Sequence, residues 1–545
     1  MIVAGTAHPD SRNDSLRMLN TPRCRHGMVT SPHHLASQAG LHILRESGTA
    51  IEAAVAMAAT IAVVYPHMTG IGGDGFWLVA EPGRDPVAID ACGGAGAMAT
   101  SEFYRRQGLA AIPSRGPLAA NTVAGTVAGW SAALELNTGW GGALGLPRLL
   151  RDAIDYAEAG IVVTASQEEL TAEKRPELEP VPGFADAYLP GGAVPREGAV
   201  LRQPALARTL RTLADAGLDD FYRGTLAAAI AADLGRAGAP IGAADLAGYR
   251  AQRREPLSVE VTGARLFNFP PPTQGLSSLM ILALFDRLGV TAGEGFEHIH
   301  GLVEATKQAF LVRDCEIADP AAMTADPSSF LDPAVLDALA ARIDRARALP
   351  WPAPPGGGDT IWLGVIDGAG RSVSLIQSLY FEYGSGVVLP ETGIVWQNRG
   401  SSFQLAAGKR QIRPGAKPFH TLNPAMARFA DGRHMVYGTM GGEGQPQTQA
   451  ALFSRYAWFG QSLQQAVTAP RWLLGRTWGA ESVSLKLEDR FDPALVAALR
   501  AAGHDVEMVA PFTSLMGHAG AIIRHPNGVL EGAGDPRSDG SAAGW

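Results

Sequence analysis

The residue pair best suited to chemistry in this chain is Asp359-Thr360, which directly follows three glycines at residues 356–358. A Pro-rich stretch precedes the pair and a hairpin pattern follows it, so Thr360 is predicted to open a strand. A cut before Thr360 would leave one residue with both a hydroxyl nucleophile and a free α-amine. That amine can act as the base that activates the hydroxyl. The pair therefore predicts a nucleophile created by chain cleavage, provided that the cut occurs.

Two glycine-rich segments have spacing that could serve a site. Residues 438–442 follow a predicted strand and precede a helix predicted near Gln445, so Gly441 and Gly442 could turn their amides toward an oxyanion. A plain tight turn explains the same pattern, and the sequence alone favours it. Residues 70–75 match Gly-x-Gly-x-x-Gly, but a helix precedes them and a strand follows, the reverse of the order in dinucleotide sites. A tight turn without a cofactor is predicted there.

Two groups of basic residues have competing interpretations. The segment 413–418, which begins with Arg413, is either a basic loop at a site or a solvated loop. His33 and His34 lack acidic or histidine partners at ligand spacing, so packing at a helix N-terminus is predicted for them. The sequence therefore predicts no metal site.

Composition limits the classes of partner and location. The 545 residues are 46% hydrophobic and 18% charged, which is typical of a large globular protein. A net charge of −8 without a long basic run argues against nucleic acid as a partner. The longest apolar run, at 53–64, is too short to span a membrane, and the first 30 residues lack the apolar region of a secretory signal. Three distant cysteines show no disulfide or zinc pattern. We expect a cytoplasmic protein whose residues 1–26 form a flexible N-terminal arm.

The elements that would position Thr360 change in type along the chain. Helices are predicted at 33–45 and 51–64, with Gly48 as a cap, and helical patterns continue at 130–160, 203–236 and 275–315. The segment 320–358 reads as a helix followed by a Pro/Gly linker. Strands are predicted at 76–80, 257–261, 265–269, 361–366, 371–381, 393–396, 424–429, 434–438, 483–487 and 519–523, with helices at 446–459 and 493–501. A helix-rich part followed by a strand-rich part fits a layered α/β sandwich with the linker inside a domain.

Several motifs occur in a fixed order that matches a known family. The chain resembles the γ-glutamyltransferase family of N-terminal nucleophile hydrolases, which are made as self-cleaving proenzymes, from about Gly27 to the C-terminus. The matching segments are 47–56, 70–76, 121–129, 221–224, 270–275, Asp314 with Asp319-Pro320, Asp359-Thr360, Pro418 with Asn423-Pro424, Gly441-Gly442, Ala469-Pro470-Arg471 and 535–538. Each motif is weak alone, and their common order makes the resemblance specific.

The resemblance implies a four-layer αββα sandwich and an α chain (27–359) and β chain (360–545) made by cleavage at Asp359-Thr360. Thr360 would attack the Asp359 carbonyl during self-cleavage and later attack a substrate amide to form an acyl-enzyme. The Gly441 and Gly442 amides would stabilise the oxyanion, and Ser378 would bond to the nucleophile. Neither a metal nor an organic cofactor is implied. Whether the αβ unit is alone or paired as (αβ)₂ stays open.

Departures from the family pattern bear on the substrate. An arginine that holds the glutamyl carboxylate aligns with Ser101, and an acidic residue that holds the α-amine aligns with Ser402. An asparagine aligns with Tyr380, and a serine pair aligns with His420-Thr421. Loss of the fixed cation and the fixed anion removes the charge-assisted bonds that recognise an amino acid head group.

The departures resemble the amidohydrolase and acylase branches of the family. The preferred hypothesis is an amidohydrolase of the oxamate type, acting on a very small amide that carries a carboxylate, because Tyr380 would shrink the pocket. Arg399, Arg413 or His420 would then bind that carboxylate. The alternatives are γ-glutamyl transfer or glutathione hydrolysis, an acylase for a dicarboxylic side chain such as glutaryl, and a non-catalytic relative that stays uncut.

Overall fold

Two antiparallel sheets lie face to face at the centre of the structure, a computed structural model that describes residues 19–351, 359–475 and 482–545. In spatial order, sheet I contains β1 (Arg23–Cys24), β18 (Leu530–Gly534), β17 (Ala519–Arg524), β13 (His434–Thr439), β12 (Ala425–Phe429), β9 (Ala264–Asn268) and β8 (Leu257–Val261). Sheet II contains β19 (Ser541–Gly544), β2 (Gly27–Ser31), β10 (Asp359–Asp367), β11 (Ser372–Tyr380), β3 (Asp74–Ala80), β4 (Val87–Ala91) and β7 (Gln252–Arg254).

Helices cover the outer face of each sheet, so the prediction of a four-layer αββα sandwich is confirmed. Sheet II carries α1 (His34–Arg45), α2 (Ala50–Val64), α4 (Thr126–Asn137), α5 (Leu146–Leu149), α6 (Arg151–Ala159), α7 (Ala165–Leu178), α8 (Phe184–Tyr188), α9 (Pro204–Ala216), α10 (Asp220–Arg223), α11 (Thr225–Ala237) and α12 (Ala243–Gly248). Sheet I carries α13 (Gly275–Arg287), α14 (Phe296–Glu316), α15 (Pro333–Ala340), α16 (Gln445–Ala457), α17 (Leu463–Thr468) and α18 (Pro493–Ala501).

Smaller elements lie at the edges of the sandwich. Helix α3 (Ser101–Arg106) packs with loop residues around Phe403 and Ile412 in a separate small cluster. A three-stranded sheet is formed by β14 (Trp472–Leu474), β15 (Leu485–Glu488) and β16 (Val506–Val509), and β5 (Ile161–Val162) pairs with β6 (Val200–Leu201).

Helix α2 shows how the local sequence determines the start and the packing of one helix on sheet II. The Thr49 hydroxyl accepts from the Glu52 N–H, and the Glu52 carboxylate accepts from the Thr49 N–H at 2.8 Å, which is a capping box. Every residue of α2 is buried, because its alanine-rich surface allows close packing on all sides. The Ala50 N–H donates to Asp367 at the end of β10, which fixes the helix against the strand that begins at Asp359.

Three glycines make room for Trp362 between the sheets. A Cβ atom at Gly364, Gly438 or Gly520 would collide with the indole ring, and the indole N–H donates to the Ser374 hydroxyl at 2.9 Å. Glycines therefore allow a large side chain two residues beyond Thr360 to fill the gap between β10 and sheet I.

The glycine turn predicted at residues 70–75 is confirmed. A Cβ at Gly72 would collide with the Val395 carbonyl, and one at Gly73 would collide with the Ser378 carbonyl. Only glycine allows these backbones to come so close, and the turn brings β3 beside β11.

The two ends of the described chain meet at the edge of the sandwich. The Trp545 carbonyl accepts from the Arg25 N–H at 3.3 Å and from the His26 N–H at 2.9 Å. Strand β19 also pairs with β2, so residues 541–544 lie beside residues 28–31. Within the predicted arm 1–26, Arg23–Cys24 belong to sheet I, and residues 1–18 lie outside the described residues.

Two local predictions were wrong. Residues 393–396 form only single bridges, through Val395 and Trp396, because the chain turns at Gly393 with φ 69°. Ser47, not Gly48, takes the left-handed conformation after α1, and Gly48 instead avoids a collision with Ile43. The helix predicted within 320–358 is α15, and residues 352–358 of the predicted linker lie outside the described residues.

Across the described ranges, no helix is long and apolar enough to cross a membrane. The cytoplasmic location stays a prediction.

Candidate active site

Thr360 lies near the start of β10 on the face that looks toward sheet I. Ile361, Leu363 and Val365 point to the helices on sheet II, whereas Trp362 and Ile366 point between the sheets. Thr360 shares this inner face, because its hydroxyl bonds to Ser378, which lies on the same face of β11 as the inward-packed Ile376. Its side chain is fully buried.

Ser378 accepts a hydrogen bond from the hydroxyl of Thr360. The Thr360 hydroxyl donates to Ser378 Oγ at 3.3 Å, and the Tyr380 N–H donates to the same oxygen at 2.8 Å. Tyr380 has φ 89°, a strained conformation for a residue with a side chain. The hydrogen bond from the Tyr380 amide holds the Ser378 hydroxyl oxygen beside Thr360.

Asp74 completes a row of three polar side chains across adjacent strands. It is the register partner of Ser378 on β11, and Ser378 in turn bonds to Thr360 on β10. The carboxylate accepts from the Gly93 N–H at 3.0 Å, the Gly125 N–H at 3.2 Å and the Gln397 amide at 3.0 Å. Burial raises the pKa of Asp74 to about 7, although these hydrogen bonds and the charge of Arg399 oppose the rise.

His420 is bonded to that carboxylate. Its Nε2 lies 3.1 Å from Asp74 Oδ2, and burial, assisted by the nearby Arg399 and Lys417, holds the pKa of His420 well below its usual value. The ring is therefore neutral at ordinary pH. Its Nδ1 is buried and has no hydrogen-bond partner in the part of the chain that the structure describes.

Arg399 is a buried cation held by neutral groups. Its guanidinium carbon lies 3.6 Å from the centroid of the Tyr380 ring, and Nη2 donates to the Thr421 hydroxyl at 3.1 Å. Nη1 donates to the Phe419 carbonyl at 3.5 Å, and Nε has no partner among the described residues. Burial lowers the pKa of Arg399 to about 10, so it keeps its charge at neutral pH. No carboxylate of residues 19–351, 360–475 or 482–545 forms an ion pair with it.

Of the other predicted substrate-binding residues, Ser402 lies beside Arg399 and Arg413 is exposed to solvent. The Ser402 hydroxyl bonds to the Arg399 carbonyl at 2.9 Å and the Phe419 carbonyl at 3.1 Å. Arg413 is exposed, as are residues 414 and 415, whereas Lys417 of the same segment bonds to the buried Asp90 at 2.6 Å. Ser101, at the position of the family arginine, bonds to Gln411 at 3.3 Å.

The Gly441-Gly442 turn is fixed from behind by Gln274. Gly441 and Gly442 have φ 113° and 50°, which glycine tolerates without strain. The Gln274 amide donates to the carbonyls of Gly442 and Thr421, both at 2.8 Å. Arg313 donates to Gln274 Oε1 at 3.2 Å and forms a 3.1 Å ion pair with Glu443. One side chain thus joins the predicted oxyanion turn to the segment that contacts Arg399.

Two groups of potential metal ligands lie close together among the described residues. Asp74, Cys92 and His420 form the first, and burial holds the pKa of Cys92 well above its usual value, so its thiol keeps its proton. The second group is His300, Glu304 and His504. Its atoms are already bonded to one another and to Lys307, Asp344 and Leu349. These hydrogen bonds in the second group occupy atoms that a preformed cation site would need free.

Asp74, Gln274 and Gln397 were missed as site residues. Asp74 interrupts a run of glycines at the entry to a strand, which was the one available signal. The two glutamines acquire their partners only through contacts over long sequence distances.

Comparisons with known proteins agree on one family. Residues 36–545 match the family described as gamma-glutamyltranspeptidase. The chain is 58% identical over 522 residues to an oxamate amidohydrolase proenzyme of Klebsiella pneumoniae, covering 95% of this chain and 98% of the relative. A glutathione hydrolase-like proenzyme of Bacillus subtilis is 41% identical over 521 residues, with the same coverage. A crystal structure of cephalosporin acylase from Bacillus halodurans superposes with a TM-score of 0.89 at 32% identity, covering 100% of this chain and 99% of that chain.

Proposed function

Because this chain belongs to the gamma-glutamyltranspeptidase family, we propose that it is a self-processing amidohydrolase that uses Thr360 as its nucleophile. The observation that carries the proposal is the hydrogen bond from the Thr360 hydroxyl to Ser378 on the inner face of sheet II. The bond orients the hydroxyl oxygen at the residue that cleavage would make N-terminal. The proenzyme relative from Klebsiella pneumoniae supports the same reaction class.

Self-cleavage would proceed by attack of Thr360 Oγ on the Asp359 carbonyl carbon. The peptide nitrogen leaves as the α-amine of Thr360, and an ester joins Asp359 to the Thr360 side chain. Water then hydrolyses that ester, which leaves a carboxylate on Asp359 and restores the Thr360 hydroxyl. The new amine can accept the hydroxyl proton in each later turnover.

Hydrolysis of a substrate amide would repeat this chemistry. Thr360 Oγ attacks the amide carbon, the amine or ammonia leaves with a proton, and water hydrolyses the resulting acyl-threonine. The amides of Gly441 and Gly442 would stabilise the negative oxygen of each tetrahedral intermediate. Ser378 would keep the attacking hydroxyl in place throughout, and no metal or organic cofactor takes part.

The substrate would be a small amide that carries a carboxylate, of the oxamate type. A buried guanidinium without an acidic partner is costly, so an anionic ligand that supplies the missing partner is favoured. Arg399 is in this state beside Tyr380 and Thr421, two residues of the predicted substrate site. Tyr380, the register partner of Asp359, would take up space next to the nucleophile and limit the size of the acyl group.

A dicarboxylyl acylase is the second candidate, since the cephalosporin acylase structure superposes over the whole chain. It would use the same arginine for the distal carboxylate of a longer acyl group. A γ-glutamyl substrate is less favoured, because the hydroxyls of Ser101 and Ser402 supply no charge for an amino acid head group.

The first experiment measures processing. Purified protein should give two polypeptides by intact mass, and N-terminal sequencing of the smaller one should begin at Thr360. Thr360→Ala should stay as one chain. A protein that never splits would overturn the assignment of the nucleophile.

The second experiment measures substrate choice. Processed protein should release ammonia from oxamate faster than it releases the amine from a glutaryl amide or the aniline from a γ-glutamyl anilide. Faster release from the glutaryl amide would favour the acylase, and dipeptide-stimulated release from the γ-glutamyl anilide would favour transfer. Size-exclusion chromatography of the same sample would distinguish αβ from (αβ)₂.

A further inference from the structure

A row of basic side chains crosses sheet I at the end opposite Thr360. Register places Arg265, Arg428, His434 and Arg524 directly beside one another on β9, β12, β13 and β17. Their neighbours at the next inward position, such as Met426 and Ile522, pack between the two sheets, so the row lines the mouth of the inter-sheet space. The stretch of β10 from Thr360 to Ile366 separates this mouth from the candidate active site by about 20 Å.

The row borders a cavity of about 190 Å³. Residues from both sheets and their turns line it, including Ser372, Arg428, His434 and Arg524. The hydroxyl of Ser372 and Nε2 of His434 lie 2.8 Å apart and join the two sheets at its floor. Burial, assisted by Arg428 and Arg524, lowers the pKa of His434 to about 4, so the ring is neutral and adds no charge.

The acids near the cavity leave part of its positive charge unpaired. Asp85 is shared between Arg428 at 2.7 Å and Arg265 at 3.1 Å. Asp431 pairs with Arg433, and Glu81 at the rim pairs with Arg84. Arg524 forms no side-chain hydrogen bond or ion pair with any described residue.

One buried donor in the row also lacks an acceptor. Arg428 Nη2 is buried and has no hydrogen-bond partner in the described part of the chain. Buried donors in folded proteins are normally satisfied, and two arginines flanking a neutral residue repel each other unless an anion lies between them. The cavity therefore combines positive charge, unused donors and enough volume for a small ligand.

We propose that this cavity binds a small oxyanion, of the class of inorganic phosphate or a short dicarboxylate, between Arg428 Nη2 and the guanidinium of Arg524. Two planar guanidinium groups suit a ligand whose oxygens can accept from both at once. The hydroxyl of Ser372 is the third polar contact on the cavity floor. The proposal stands independently of the reaction at Thr360, because the two places lie at opposite ends of the strands.

Binding of phosphate and of malonate to the purified full-length protein tests this site, whether or not the protein is cleaved before Thr360. Isothermal titration calorimetry should show saturable binding of at least one of them, and the same anion should raise the thermal midpoint. Sodium chloride at equal ionic strength should not reproduce the effect. Tighter binding of phosphate would assign the site to that anion, and tighter binding of malonate would assign it to a dicarboxylate.

Arg524→Gln should weaken that binding by about tenfold or more, since it removes a charge-assisted contact. Arg524→Lys keeps the charge but not the planar group, so its affinity for the anion should lie between those of the wild type and Arg524→Gln. Arg342→Gln, an exposed arginine remote from the row in sequence, is the matched control and should bind as the wild type does. Equal binding by wild type and a folded Arg524→Gln, or no binding beyond the chloride effect, would overturn the proposal.

Discussion

At the scale of single side chains, the carboxyl of Asp74 has a charge that changes near neutral pH. Its pKa is raised to about 7 because burial penalises the ionised form, while an exposed aspartate in the unfolded chain titrates at about 4. Between these two values the folded protein binds a proton that the unfolded chain has released. The contribution of Asp74 therefore lowers stability as the pH rises from about 4 to about 7, and it changes little above that.

Asp74→Asn should remove this pH dependence. The comparison uses an uncut Thr360→Ala background and measures how far the free energy of unfolding falls from about pH 5 to about pH 8. With Asp74 present, that fall should be about 2–3 kcal/mol larger than in the Asp74→Asn variant. Urea unfolding at each pH measures the difference. Asp155→Asn, at an exposed helical position, is the control and should leave the pH dependence unchanged. If the free energy of unfolding followed parallel curves against pH with and without the Asp74→Asn substitution, the pKa of Asp74 would not be raised by folding.

Arg399→Lys should weaken binding of a carboxylate-bearing amide. A lysine keeps the charge but loses both the planar contact with Tyr380 and the forked donors, so KM for oxamate should rise by roughly tenfold or more. Steady-state ammonia release gives KM and kcat separately. Arg413→Lys, on an exposed loop, should change neither. A larger effect at Arg413 than at Arg399 would move the carboxylate site to that loop.

At the scale of elements, the turn between β13 and α16 depends on Gln274, which lies just before α13. The Gln274 amide binds the Gly442 carbonyl and the Thr421 carbonyl, and Arg313 holds its oxygen. The position of the Gly441 and Gly442 amides is therefore set by a side chain from a different part of sheet I's helical layer. A loosened turn would aim those amides less accurately at the developing oxyanion.

Gln274→Ala should lower kcat by about tenfold or more while changing KM less, because an oxyanion contact is made mainly in the transition state. Gln203→Ala is the matched control: Gln203 also donates to a backbone carbonyl, that of Val63, on the opposite helical layer. The control should lose stability without a comparable loss of kcat. A fall in stability at Gln274 with an unchanged kcat would make its role purely structural.

Elements specified by local sequence could be predicted well. The hairpin of β10 and β11 and the apolar helix α2 carry their own periodicity, turn residues and caps. The bridge at Trp396 could not be predicted, because its partner, Gly72, lies in a distant segment of the chain. The same reason explains Asp74, whose four bonding partners come from residues 93, 125, 397 and 420.

At the scale of the whole molecule, the segments before and after Thr360 are interleaved. In sheet II, β10 lies between β2 and β11, and β11 lies beside β3, so strands from both segments alternate. Sheet I likewise joins β9, from before the cut, to β12, from after it. A cut at Asp359-Thr360 would leave the hydrogen bonds between these strands intact.

The two chains of the processed protein should therefore stay together under native conditions. They should elute as one species in size-exclusion chromatography and separate only with denaturant. A tag placed on either chain should recover both in equal amounts. Separation of the chains in native buffer would show that the sheets are not shared between the two segments after the cut.

The contact between Trp545 and residues 25 and 26 makes a circular permutant of this protein feasible. A short linker could join these two places, so a circular permutant could begin at Thr360, run through Trp545 and continue from residue 19 to residue 351. Removal of its initiator methionine would expose the threonine amine at translation. Such a permutant would separate maturation from turnover, and variants that block self-cleavage in the natural order could then be assayed for catalysis alone.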